Sequence, residues 1–201
     1  KLSGAAFLPF SDMRHMLEAE LRERLGFSGS PSNVFGELLY YEDFPAELLK
    51  SQRDFPYWSK CTLLEPLEIR FRSIGTASSA LRSIQRSWAP YSYQFFRRGS
   101  LIQEKLPFVN LKEKVFPQVI PSSPIGLYSL IEENRLIASG STSSFLPAGE
   151  IRFKEDHVNP PSRAYLKLQE SLTMANILNG TPFPKKGDRC FDAGAAPGGW
   201  T

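Results

Sequence analysis

A chain of 201 residues, 41% hydrophobic and 22% charged, has room for one large or two small globular domains. That composition excludes general disorder, and no apolar run approaches the roughly 18 residues that suggest a membrane span. The net charge of +3 is too small to point to nucleic acid unless the basic residues cluster. Cys61 and Cys190 lie far apart, with only His15 and His157 to join them, so a zinc spacing is excluded, no metal is expected, and a reducing, cytoplasmic setting fits.

Ala5 to Pro9 reads as a strand. Ser11 is then placed to cap a helix carrying Met13, Met16, Leu17, Leu21 and Leu25 at helical spacing, which Gly26 ends. Val34 to Tyr41 and Cys61 to Arg72 read as two further strands, with an irregular, Pro-containing insert over Arg53 to Ser59. Thr76 caps a second helix whose apolar face is Ala77, Ala80, Leu81, Ile84 and Trp88; Pro90 stops it, and Tyr91 to Phe96 supplies another strand. The resulting order, βαββαβ, is that of a ferredoxin-like domain over residues 1–98, with two helices on one face of an antiparallel sheet.

From Gly99 to Pro124 the period is lost while Pro and Lys rise, which reads as a surface connector. Ile125 to Ile131 and Leu136 to Ser141 then flank Glu132 to Arg135 as a β-hairpin, so that residues 99–149 form a connector and hairpin. Pro160 and Pro161 favour an extended entry to a helix that Ser162 caps and Gly180 stops, with Leu168, Leu172, Ala175 and Leu178 as its buried stripe. A strand around Arg189 to Ala193 follows, and residues 150–201 read as the start of a second, α/β domain. The fold class is therefore α+β in front and Rossmann-like α/β behind.

One group of residues combines charge and rings. Arg82, Arg86, Arg97 and Arg98 surround Trp88, Tyr91, Tyr93, Phe95 and Phe96, joining phosphate-attracting cations to faces that can stack on unpaired bases. The competing interpretation is a core strand of aromatics with a solvated arginine edge. Lys112, Lys114, Lys185 and Lys186 add scattered positive charge.

The chain closes on Asp192-Ala193-Gly194-Ala195-Ala196-Pro197-Gly198-Gly199-Trp200-Thr201, an acidic strand end running into a glycine-rich turn. Glycines let the backbone approach a ligand, and amides at the start of the expected helix can meet an anionic group. Asp192 is expected to hold the turn, and Trp200 either walls a pocket or simply packs. This string closely resembles motif I of S-adenosylmethionine-dependent methyltransferases of the FtsJ-like ribose 2′-O class. Pro161 to Leu168, reading PSRAYLKL, resembles the helix start that precedes motif I in the same class. Within the class the likeness is greatest to the RlmM type, in which the catalytic domain follows ferredoxin-like and THUMP-like regions.

The resemblance implies S-adenosylmethionine as cofactor and a ribose of large-subunit rRNA as acceptor. It implies cofactor contacts at Gly194, Ala196, Pro197, Gly198, Gly199 and Trp200, with Ala164 as a neighbour that lacks a serine's hydroxyl. Lys167 matches the first lysine of the family's Lys-Asp-Lys-Glu tetrad, although without the resemblance it is one cation on an exposed helix face. The other three tetrad members are expected beyond Thr201, so these 201 residues alone are expected to be inactive and to hold cofactor poorly. Starting at Lys1 rather than Met likewise leads us to expect that N-terminal residues have been removed.

Two alternatives stay open. RNA cytosine C5 methyltransferases share the Ala-Pro-Gly-Gly turn, usually with lysine where this chain has Trp200. Otherwise residues 1 to about 150 are an RNA-binding or partner-binding module attached to a degenerate methyltransferase domain.

Overall fold

The computed structural model describes residues 1–121, 123, 125–158 and 162–191. They fall into two compact units, one of residues 1–111 with 123–150, the other of the described residues within 112–122 and 151–201.

The first unit is built on two sheets. Strands β1 (Ala5–Pro9), β2 (Asn33–Phe35), β3 (Leu38–Tyr41) and β4 (Ser59–Leu63) form a sheet in the order β2-β3-β1-β4, with every neighbouring pair antiparallel. All five residues of β1 are buried because both faces of this sheet are covered. Ala5 and Phe7 pack with Leu17 and Leu21 of helix α1 (Arg14–Glu23), while Ala6 and Leu8 pack with Leu127 and Ile137 of the second sheet. Alternation along a strand divides its side chains between the two layers, so the sequence reads as a continuous apolar run.

Strands β5 (Leu67–Arg70), β6 (Trp88–Pro90), β7 (Gly126–Glu132) and β8 (Arg135–Ser139) make the second sheet, in the order β5-β8-β7-β6. Its β6–β7 pair is parallel and the others are antiparallel. Helices α2 (Ile74–Ile84) and α3 (Phe96–Glu104) cover its outer face, where Leu81 and Ile102 pack with Trp88, Tyr128, Leu136 and Ala138. The layers thus run α1, first sheet, second sheet, then α2 with α3.

Several elements differ from their sequence reading. Residues 1–98 do not close one sheet: the first sheet is complete at Leu63, and α2 and β6 belong to the second. Between β3 and β4, where the sheet order leaves room for a second helix, the chain makes two short 3-10 turns at Ala46–Leu49 and Gln52–Asp54. This segment is pinned by α1. The Glu20 carboxylate accepts from the backbone N–H of Tyr57 (2.9 Å) and Trp58 (3.0 Å) and from Arg24 Nε (2.8 Å). Arg24 in turn donates to the carbonyls of Arg53, Asp54 and Phe55.

Ser11 does not cap α1, because Asp12 is left-handed (φ 64°) and the helix starts only after Met13. Val34 to Tyr41 is two strands folded about Gly36 (φ 64°), where a Cβ would sit 2.7 Å from both Tyr91 Oη and Tyr93 Cβ. Cys61 to Arg72 changes sheets around Pro66, while the Leu64 N–H pairs with Ser141 O. Ser73, not Thr76, caps α2; Thr76 completes the reciprocal pair three residues on.

The strand expected at Tyr91–Phe96 ends almost at once. Tyr91 N–H still reaches Tyr128 O, but Phe95 turns left-handed (φ 51°) and α3 begins, extending to Glu104 through the expected connector. The hairpin forms as read, with its turn tightened to Glu133-Asn134.

In the second unit, α4 (Ala164–Asn179) ends on left-handed Gly180, as its sequence implied. Its fully buried residue is Thr173, whereas Leu178, expected in the buried stripe, is half exposed. Phe116 meets the rings of Phe153 and Phe183 edge to face. Of the strand expected at Arg189–Ala193, residues 189–191 carry no strand pairing and the rest lie outside the described residues.

Candidate cofactor and nucleic-acid sites

The described half of the methyltransferase-like segment is the helix that precedes the glycine-rich turn. Its start is tethered locally: Ser162 Oγ accepts from Ala164 N–H, the Arg163 guanidinium pairs with Glu155, and Tyr165 Oη accepts from Asp156 N–H at 2.7 Å. Ala164 is half-buried in the first turn and Lys167 is exposed one turn along, so the lysine head is reachable from solvent. Asp192, Gly194, Ala196, Pro197, Gly198, Gly199 and Trp200 lie outside the described residues.

The arginine-aromatic group is dispersed by the fold. Trp88 is fully buried and its indole N–H donates to the carbonyls of Leu81 and Gln85, both at 3.0 Å. It is a core residue and presents no face to a base, which corrects its place among the RNA contacts. Arg98 lies over the Phe71 ring with its head 3.8 Å from Glu133, so its charge is already partnered. Tyr91 and Tyr93 stack on each other, and Tyr91 Oη accepts from the Glu37 N–H at the tip of the β2–β3 hairpin.

Arg82, Arg86 and Arg97 remain exposed, but not as one patch. Gln85, next to Arg86, packs on Gly126 at one end of β7, whereas Arg98, next to Arg97, pairs with Glu133 beyond the other end. A strand of that length separates them by about 20 Å. Near Arg97, the rings of Phe95 and Phe96 are exposed.

What the fold does bring to Arg82 is Lys105. Together with Ser73, Gly75, Thr76 and Ser79 they line an open cavity of about 590 Å³ against the outer side of α2. Lys105 was invisible to sequence reasoning because it follows a helix, α3, that the sequence did not announce. No carboxylate among the described residues lines this cavity. Among the described residues neither cation has an ion pair, and Arg82 donates to Ser79 Oγ at 3.2 Å.

The buried titratable groups point to structure rather than chemistry. Burial pushes the Cys61 thiol up to about 12 and the Tyr41 phenol to about 12, so neither ionises near neutral pH. The described helices include none long and apolar enough to cross a membrane.

Comparison with known proteins bears on the C-terminal stretch. The FtsJ-like methyltransferase family matches residues 160–201. Two curated relatives extend the likeness: a protein named ribosomal RNA large subunit methyltransferase M from Halorhodospira halophila is 51% identical over 43 residues, and one of the same name from Hahella chejuensis is 43% identical over 68 residues. The matches cover 21% and 32% of this chain, and only 12% and 17% of the respective relatives. The family match rests on residues 160–201, the stretch that carries both motifs, and the 68-residue likeness to the Hahella protein is longer than that stretch.

Proposed function

We propose that this chain belongs to an enzyme that transfers a methyl group from S-adenosylmethionine to a ribose 2′-hydroxyl of large-subunit rRNA. The observation that carries this reading is the FtsJ-like match over residues 160–201, with the names of the two relatives. When bound, the cofactor supplies an electrophilic methyl on a sulfonium centre. The sequence fits such a group: Gly194, Gly198 and Gly199 lack the side chains that would hold a ligand off the backbone, and Asp192 precedes the turn.

On this reading Lys167 orients the acceptor ribose or stabilises charge near the reacting hydroxyl, with its exposed head available to an incoming strand. It is the part of the tetrad that this chain supplies by motif position. Ala164, with no side-chain donor, contributes at most a backbone contact beside the cofactor.

The two-sheet unit is the proposed RNA-positioning part. Its first sheet has the strand order and antiparallel sense of a ferredoxin-like domain, and its second, with α2 and α3, is the candidate for the THUMP-like region. Arg82, Arg86 and Arg97 are exposed cations of this unit, and Phe95 and Phe96 are exposed rings beside Arg97.

The test supplies the intact protein with labelled S-adenosylmethionine and unmodified large-subunit rRNA. We expect label in ribose, at one linkage that then resists alkaline hydrolysis because its 2′-oxygen is blocked. Label in a cytosine base would replace this reading with C5 methylation, and no transfer to RNA at all would end it.

A further inference from the structure

We propose that the cavity on the outer side of α2 seats the sugar-phosphate backbone of an RNA strand, with Arg82 and Lys105 as its two phosphate contacts. This rests on the rRNA reading above for the identity of the polyanion.

Five of the other guanidinium groups of this unit are engaged by carboxylates. Arg14 and Arg24 pair with Glu18 and Glu20, Arg70 and Arg135 share Glu68, and Arg98 reaches Glu133. Arg82 and Lys105 lack such a partner among the described residues, as do Arg22, Arg53, Arg72, Arg86 and Arg97; what sets these two apart is that they line one cavity, Arg82 from α2 and Lys105 from the residue that follows α3. Two like charges held on one cavity repel each other, and an anion between them removes that cost. Among the described residues the remaining lining adds no competing acceptor charge: Ser79, whose hydroxyl accepts from Arg82, lines the cavity from the same helix, the Thr76 hydroxyl is spent on the helix cap, and α2 has no acidic residue in its first turn.

The shape favours a strand over a small anion. The cavity is wide and open, about 590 Å³, and extends from Ser73 at the start of α2 past Arg82 near its end to Lys105. From residue 73 to 82, at about 1.5 Å per residue, is about 13 Å, long enough for several consecutive phosphates of a strand and far more than one free phosphate spans. Charge without base-edge chemistry makes this contact independent of sequence; it sets register and orientation, leaving base choice to other parts.

The measurement is the affinity of this chain for an unmodified large-subunit rRNA oligonucleotide across a salt series. Arg82→Gln combined with Lys105→Gln is compared with Arg14→Gln combined with Lys50→Gln, an equal charge change elsewhere. We expect the groove pair to make the slope of log affinity against log salt shallower by about 1.4, at about 0.7 per lost contact on a single strand. The control pair should leave the slope near wild type, and Arg82→Lys with Lys105→Arg should restore it. Both pairs shifting the slope alike, or neither doing so, overturns the groove. So does wild-type protein that fails to bind RNA at low salt, or binding abolished by orthophosphate at constant ionic strength. Binding affected as expected, but without ribose methylation by the intact protein, leaves the groove standing and removes the enzyme reading instead.

Discussion

Cys61 and Cys190 show how far a residue's chemistry is set by its surroundings. Both are free thiols, but Cys61 is packed between the two sheets while Cys190 is exposed. Burial disfavours the thiolate of Cys61, whose pKa is pushed up to about 12, with a hydrogen bond from Thr142 only partly opposing that rise. Because the thiolate is the nucleophile, native protein treated with an aromatic disulfide at pH 8 should release one equivalent of reporter from Cys190, and the second only after denaturant is added. Rapid release of both would mean that Cys61 is not sealed. Trp88 makes the same point for binding. Its neighbours in sequence suggested a stacking face, whereas its indole is buried and hydrogen-bonded to the end of α2.

Element boundaries were legible where a local signal was decisive. Gly180 ends α4 and Gly26 follows α1 because each takes the left-handed conformation that glycine adopts without strain. They were illegible where a long-range partner decided. The segment from Ala46 to Trp58 carries no periodic pattern, and what orders it is the Glu20 carboxylate of α1 with Arg24 beside it. Glu20→Ala would leave two backbone N–H groups and Arg24 Nε without their acceptor in a largely buried place, so we expect a loss of about 3 kcal/mol in denaturant unfolding. A loss below about 1 kcal/mol would show the segment to be held by its apolar contacts alone. The β2–β3 turn is similar: Gly36 announces a turn only once Tyr91 and Tyr93 are known to lie against it.

At the scale of the whole first unit, the two sheets share one apolar layer, where Ala6, Leu8, Leu38 and Leu63 pack with Leu127 and Ile137. Ile137 is 1% exposed, and Ile137→Ala should cost about 2–5 kcal/mol. Because that layer belongs to both sheets, amide exchange should quicken at Phe7 in β1 as well as at Leu127 in β7. Acceleration confined to β7 and β8 would mean that the sheets open separately.

What the sequence determined by itself was a chemical likeness: contiguous strings at residues 161–168 and 192–201 resemble FtsJ-like methyltransferases, and such strings can be read without knowing where they lie. It also determined most of the strands and helices, since apolar periodicity and glycine stops act over a few residues. Which sheet each strand joined was decided only by tertiary structure, because β4 and β5 are equally apolar and differ in their partners. The same holds for the cationic cavity on α2. Arg82 and Lys105 are 23 positions apart, and what unites them is α3 folding back over the second sheet, driven by burial of Ile102 and Leu106.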